Sequence, residues 1–166
     1  MPKYTFILVP LCVIVCLSGC ASAAYRDDRT ASEVLSCVEQ AIPTDTPYRR
    51  AEDDYVSASA FGDDLELVQQ QVSDWAIALS QRTDLYPDEI AVFHAAGNPK
   101  QVAAALRRHG RSLTDRLSDY YRMYAPEQLP KLGNVSVKVC GRYVLMTVLD
   151  EQQTQAAHKA FEEALQ

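Results

Sequence analysis

The chain has 166 residues, 48% of them hydrophobic, with 16 basic and 22 acidic side chains and a formal net charge of −6. This length fits one domain able to bury a sizeable core. The acidic balance disfavours nucleic acid and anionic lipid surfaces, both of which attract basic patches.

The chain opens Met1-Pro2-Lys3, and Tyr4 to Leu17 follows without a charged residue. A charged start, a brief apolar run and small residues at its end make a signal peptide. The run is shorter than the roughly 20 apolar residues a membrane-spanning helix needs, and Pro10 interrupts it. Its ending, Leu17-Ser18-Gly19-Cys20, resembles the lipobox of bacterial lipoproteins. The resemblance implies diacylglycerol on the Cys20 thiol and cleavage between Gly19 and Cys20. An ordinary secretory signal cut after Ala21 or Ala23 is the alternative. Residues 1–19 are read as the signal, 20–29 as a small, polar tether carrying lipidated Cys20, and 30–166 as a single domain. The expected address is the extracytoplasmic face of the cell membrane, where two acyl chains anchor stably.

Of five cysteines, Cys12 and Cys16 leave with the signal and Cys20 takes the lipid. Cys37 and Cys140 remain, in a compartment where disulfides persist. A bridge would close a loop of about 100 residues, worth about 4.7 kcal/mol in the chain-entropy model. Two unpaired thiols are the other reading.

Thr30 and Glu33 form a capping box, and Val34, Leu35, Val38 and Ile42 follow at helical spacing until Pro43. Residues 43–54 read as a polar loop. Tyr55 to Phe61 suits extended chain, and Leu65, Val68 and Val72 suggest a helix after Asp63 or Asp64. Trp75, Ile77 and Leu79 alternate with Ala76, Ala78 and Ser80 as a half-buried strand. A turn at Tyr86-Pro87-Asp88 leads to a second strand, Glu89 to Ala95, completing a hairpin.

Asn98 as N-cap and Pro99 at the first helical position start a long helix of roughly seven turns. Val102, Leu106, Leu113, Leu117, Tyr121 and Tyr124 form its apolar stripe, and Pro126 ends it. Val135 to Leu149 reads as a hairpin turning at Cys140-Gly141, its second strand apolar on both faces and so interior. Asp150 caps a last helix, with Gln153 at N3 and Ala157, Phe161 and Leu165 inward. After an N-terminal helical segment the order is β-β-α-β-β-α. An α+β, two-layer domain with an antiparallel sheet is expected.

The segments Asp88 to Ala95 (DEIAVFHA), Tyr124-Ala125-Pro126-Glu127 and Gly141-Arg142-Tyr143-Val144, in that order around the long helix, resemble one family. It comprises small lipoproteins of Clostridia and their relatives carrying domain of unknown function 4358. The resemblance runs from Leu85 to the C-terminus and implies a lipid in the outer leaflet of a Gram-positive-type plasma membrane. It carries over no active site.

Catalytic signatures are sparse. His94, His109 and His158 have no metal-ligand spacing. No nucleophile elbow surrounds Ser57, Ser59 or Ser80, and there is no phosphate-binding loop. The acidic pairs Asp53-Asp54, Asp63-Asp64 and Glu162-Glu163 suit helix starts and solvated faces. Arg107, Arg108, Arg111, Arg116 and Arg122 crowd the long helix and could meet phosphate or an acidic wall polymer, but Asp115 and Asp119 lie within pairing reach of Arg111, Arg116 and Arg122, which favours a solvated face. Tyr120, Tyr121 and Tyr124 at the helix end, with Tyr86 and Tyr143 as candidate neighbours, read either as the edge of the core or as a patch suited to sugar or peptide.

No metal, cofactor or nucleic acid is expected. A non-catalytic binding or assembly module for an envelope protein or wall polymer fits best. A wall-modifying hydrolase with an unrecognised site is the alternative, favoured by a cleft where His, Ser or carboxylates converge. A transporter's solute receptor usually clamps its ligand between two domains, and this chain has one.

Overall fold

The computed structural model describes residues 25–44, 47–51 and 70–166. The signal with Gly19, the lipidation residue Cys20, the extended stretch Tyr55–Phe61 and most of the helix expected after Asp63, including Leu65 and Val68, lie outside the described residues; Val72, placed in that helix by its spacing, instead begins a strand, where pairing with Ala95 decides its conformation.

Helix α1 (Ala31–Ala41) starts at the expected capping box, in which Thr30 accepts from the Glu33 amide and Glu33 accepts from the Thr30 amide. A third bond comes from across the fold: Asp74 Oδ2 accepts from the Ala31 amide at 2.7 Å. This carboxylate satisfies a free N–H and faces the positive end of the helix. Val34, Leu35 and Val38 are buried.

Strand β1 (Tyr48–Arg50) pairs antiparallel with β2 (Val72–Ser80), Tyr48 opposite Ser80. Residues 48–50 were expected to be loop. Tyr-Arg-Arg has no apolar alternation, and as an edge strand it needs one partner only. Arg50 fastens it to α1 through Glu39 at 2.6 Å. β2 begins earlier than Trp75, with a register shift between Val72 and Asp74. It is also more than half-buried: Ala76 to Ser80 are buried on both faces. The short Ala76 and Ala78 side chains let α1 pack closely against that face.

Strand β3 (Glu89–Ala95) completes the first hairpin and is followed by helix α2 (Pro99–Tyr124). Asn98 caps α2 by accepting from the Lys100 amide at 3.0 Å. Tyr124 leaves the expected apolar stripe, being 64% exposed. Gly110 lets α2 approach the sheet, since a Cβ there would lie 2.5 Å from Val135 Cγ1. Pro126 ends the helix as expected, but the chain continues through a 3-10 turn, Pro126–Gln128, into a short helix α3 (Leu129–Gly133) that sequence periodicity did not reveal.

Strands β4 (Val135–Cys140) and β5 (Tyr143–Val148) form the second hairpin, and helix α4 (Glu151–Ala164) closes the chain. The turn is Gly141-Arg142, one residue later than expected. Gly141 takes a positive φ, +57°, at the first turn position, the pattern of a II′ hairpin. Cys140 therefore stays in the ladder opposite Tyr143. Asp150 and Gln153 form the second capping box.

The sheet order is β1-β2-β3-β5-β4, antiparallel throughout. The α+β class, the antiparallel sheet and the β-β-α-β-β-α order after Trp75 are as expected. Helices cover both faces of the sheet, giving three layers, one more than expected. The cause lies in β3 and β5, which are apolar on both faces and so require cover on both. Ile90, Val92 and Leu145 pack with α1 and α4, while Ala91, Phe93 and Met146 pack under α2.

The expected tether is docked from Tyr25 onward. The Arg26 amide donates to Leu165 O at 2.9 Å, and the Tyr143 hydroxyl donates to Arg29 O at 2.5 Å. Tyr25 lies over Gly141, where a Cβ would come within 2.9 Å of the Tyr25 Cβ. Small and polar composition concealed these contacts because backbone groups and single side chains carry them.

Candidate functional site

A hollow of about 570 Å³ opens where the C-terminal half of α2 crosses the start of β3. Leu79, Leu113 and Leu117 supply apolar wall, Tyr86 and Tyr120 supply aromatic wall, and Glu89 and Arg116 contribute charge. This volume is within the usual range for small-molecule sites.

The tyrosine patch divides. Tyr121 is 1% exposed, and its hydroxyl donates to Thr83 O at 2.9 Å, making it a buried strut. Tyr120 is 40% exposed, donates to Asp84 O at 3.0 Å and lines the hollow. Its ring meets Tyr121 edge-on, centroids 5.4 Å apart, and Tyr124 at 4.9 Å. Tyr124 extends this surface outside the hollow. Tyr86 joins the wall as expected. Tyr143 does not: it points to the opposite face of the sheet, its ring 4.6 Å from that of His94.

Glu89 was not singled out from sequence. It is 5% exposed, between Leu79 of β2 and Val148 of β5 in the ladder, and under α2. Its Oε1 has no hydrogen-bond partner among the described residues. Burial pushes the carboxyl up to about 7, with the Arg116 guanidinium pulling it back. A buried acid with an unbonded oxygen among the described residues, its carboxyl pushed up toward neutrality in a hollow, marks a functional candidate. The available signal was a single acid heading an otherwise apolar strand.

The neighbouring charges are engaged. Asp88 accepts from Lys131 Nζ at 2.6 Å, both side chains largely buried, and burial still pushes the Asp88 carboxyl up. Lys131 also sits 5.5 Å from the Tyr86 ring centre. Asp84 pairs with Arg82 at 3.0 Å.

The arginines of α2 separate. Arg122 pairs with Asp119, as expected for a solvated face. Arg107 and Arg111 border a second hollow of about 560 Å³ against β4, together with Asp115. Arg116 alone of the five lines the first hollow.

The histidines do not converge. His158 Nε2 lies 3.0 Å from Ser136 Oγ, and His109 is buried within α2. His94 Nε2 donates to Asp27 Oδ1 at 2.6 Å, and its Nδ1 lies 2.8 Å from Ser73 Oγ. Arg142 also binds Asp27, at 3.2 Å. The His94 ring holds the Asp27 carboxyl below the usual carboxylate range. This Ser-His-Asp chain joins the docked N-terminal segment to the sheet, and Ser73 lines neither hollow. Among the described residues no group of three or more His, Cys, Asp or Glu could hold a metal ion.

Cys37 is half-buried and Cys140 buried, both as free thiols. Arg29 Nη1 approaches Cys37 Sγ at 3.4 Å, while Cys140 meets the Tyr25 hydroxyl and burial pushes its thiol up.

No family model matches the chain, and it has no match among curated proteins or solved structures.

Proposed function

We propose that the protein is a lipid-anchored extracytoplasmic binding module whose site is the hollow between α2 and the head of β3. The observation that carries this reading is the buried carboxyl of Glu89, whose Oε1 has no hydrogen-bond partner among the described residues, within an apolar and aromatic wall. Such a wall excludes water, while one polar group fixes orientation. The address rests on the signal-like segment and the Leu17-Ser18-Gly19-Cys20 ending. The same reading takes the chain as a relative of the small clostridial lipoproteins, on the order of its DEIAVFHA, Tyr124–Glu127 and Gly141–Val144 segments. Among the described residues no helix is long and apolar enough to cross a membrane.

The test is a pull-down from detergent-solubilised membranes with the full-length protein, alongside a Tyr120→Ala/Tyr124→Ala variant and labelling with radioactive palmitate. Label lost in Cys20→Ala and a retained component lost in the tyrosine variant support the two halves of the reading. Label persisting without Cys20 removes the proposed anchor. Retention indifferent to the tyrosines removes the proposed site.

Hydrolysis is a second reading, favoured by the hydrogen bonds from Ser73 through His94 to Asp27. That order suits general-base activation of a hydroxyl. An active-site serine probe tests it: labelling abolished by Ser73→Ala supports the enzyme, and an unlabelled wild type rejects a serine nucleophile there.

A further inference from the structure

Four charged side chains line the hollow, and two are already used. Asp84 pairs with Arg82, and Asp88 with Lys131. Glu89 and Arg116 remain. Glu89 Oε1 is buried without a hydrogen bond, and Arg116 forms no ion pair within 4 Å among the described residues. The two elements that carry them, β3 and α2, set an acid on the floor and a cation on the exposed rim of the same space. Between and around them lie Leu79, Leu113 and Leu117, with the Tyr86 and Tyr120 rings.

We infer that the hollow binds a small zwitterion, an α-amino acid with an apolar or aromatic side chain, placing its ammonium on Glu89 and its carboxylate on Arg116. Resting on the hollow being the binding site, the inference names the class of ligand. A ligand with an amine alone would leave Arg116 facing a second cation. One with a carboxylate alone would set an acid against Glu89. A zwitterion gives each protein charge its complement, and its carboxylate suits the planar guanidinium. Its ammonium offers the Glu89 carboxylate a charged donor, in a setting where an unmade bond is costly. The leucines and tyrosines then cover the side chain.

The experiment titrates the full-length chain in detergent micelles with the standard amino acids and with D-alanine, read by calorimetry. The best binder is then compared with its amide, which lacks the carboxylate, and with its deaminated acid, which lacks the ammonium. Expected are binding of at least one apolar or aromatic amino acid, and weakening of at least about tenfold for each analogue, the scale of one charged hydrogen bond. Glu89→Gln and, independently, Arg116→Gln at the exposed rim are expected to weaken the parent by a similar factor. The inference is overturned if no amino acid binds the wild type, if the analogues bind as well as the parent, or if both variants bind like the wild type. Should the membrane component still depend on Tyr120 and Tyr124 in that event, the binding module stands and only the zwitterion falls.

Discussion

The hydroxyl of Tyr121, near the end of α2, donates to the carbonyl oxygen of Thr83 in the loop joining β2 to β3. This bond ties the roof of the hollow to its mouth and explains why one tyrosine of an outwardly similar set is buried. Tyr121→Phe should cost about 1 kcal/mol, the net value of one hydrogen bond. Tyr121→Ala should cost about 3–5 kcal/mol, as for other buried aromatics. Tyr124→Ala should stay within about 0.5 kcal/mol of wild type. Urea unfolding of the three variants checks the order, and equal losses at positions 121 and 124 would refute the division.

Glu89 gives stability an unusual dependence on pH. Burial raises its carboxyl from 4.5 to about 7 in the folded protein. Between these values the folded chain holds more protons than the unfolded one, so this group's contribution falls as pH rises and levels off above about 7. Glu89→Gln removes that loss. The variant should gain on wild type across the window, reaching about 3 kcal/mol at the alkaline end. The check is the difference in urea midpoint between the two proteins from acid to mildly alkaline pH; a constant difference contradicts it.

Asp27 works in the opposite sense. Its carboxyl is lowered by His94, so its contribution is present above the unfolded carboxylate value and is lost as pH falls through the folded one. The side chain is largely solvated, so the global effect of Asp27→Asn should be under about 1 kcal/mol. The local effect should be larger: trypsin cleavage after Arg26 and Arg29 should speed up in the variant at neutral pH. Unchanged cleavage would mean that the clasp is held without this carboxylate.

At Gly110 two effects compete. Alanine improves helix propensity by about 1 kcal/mol, but its Cβ would lie 2.5 Å from Val135 Cγ1. Overpacking of this kind costs about 1–3 kcal/mol. Gly110→Ala should therefore be neutral to destabilising alone and clearly less harmful on a Val135→Ala background. A double-mutant cycle by thermal unfolding measures this coupling, and additivity would show that the contact is relieved elsewhere.

The parts legible in the sequence are those governed by neighbours along the chain. Thr30 with Glu33, Asp150 with Gln153, and Asn98 before Pro99 mark helix starts by chemistry within a few residues. Alternation in β4 and the double-sided apolarity of β5 fixed their places in the sheet. Glu89 was illegible because its burial comes from Leu79, Val148 and α2, none adjacent to it in sequence. A leading acid on a strand usually meets solvent. The same holds for Asp27, His94 and Ser73, joined across separations of 67 and 21 residues. Of the patch inferred from tyrosine spacing, Tyr120 reached the hollow, because helical periodicity gives a direction but not the depth of what packs there.

The docking of the N-terminal segment gives the domain a compass. Tyr25 and Asp27 sit at the Gly141–His94 end of the sheet, whereas the hollow lies at the Glu89–Val148 end. Five or so residues of β3 separate them, about 17 Å along the strand. With the acyl chains on Cys20 as proposed, the five residues Cys20 to Ala24 can pay out at most about 18 Å of chain before Tyr25. On that proposal the turn of the second hairpin lies nearer the attachment point than the mouth beneath α2 does. The attachment point and the binding mouth would then occupy opposite ends of the same strand, so that neither obstructs the other.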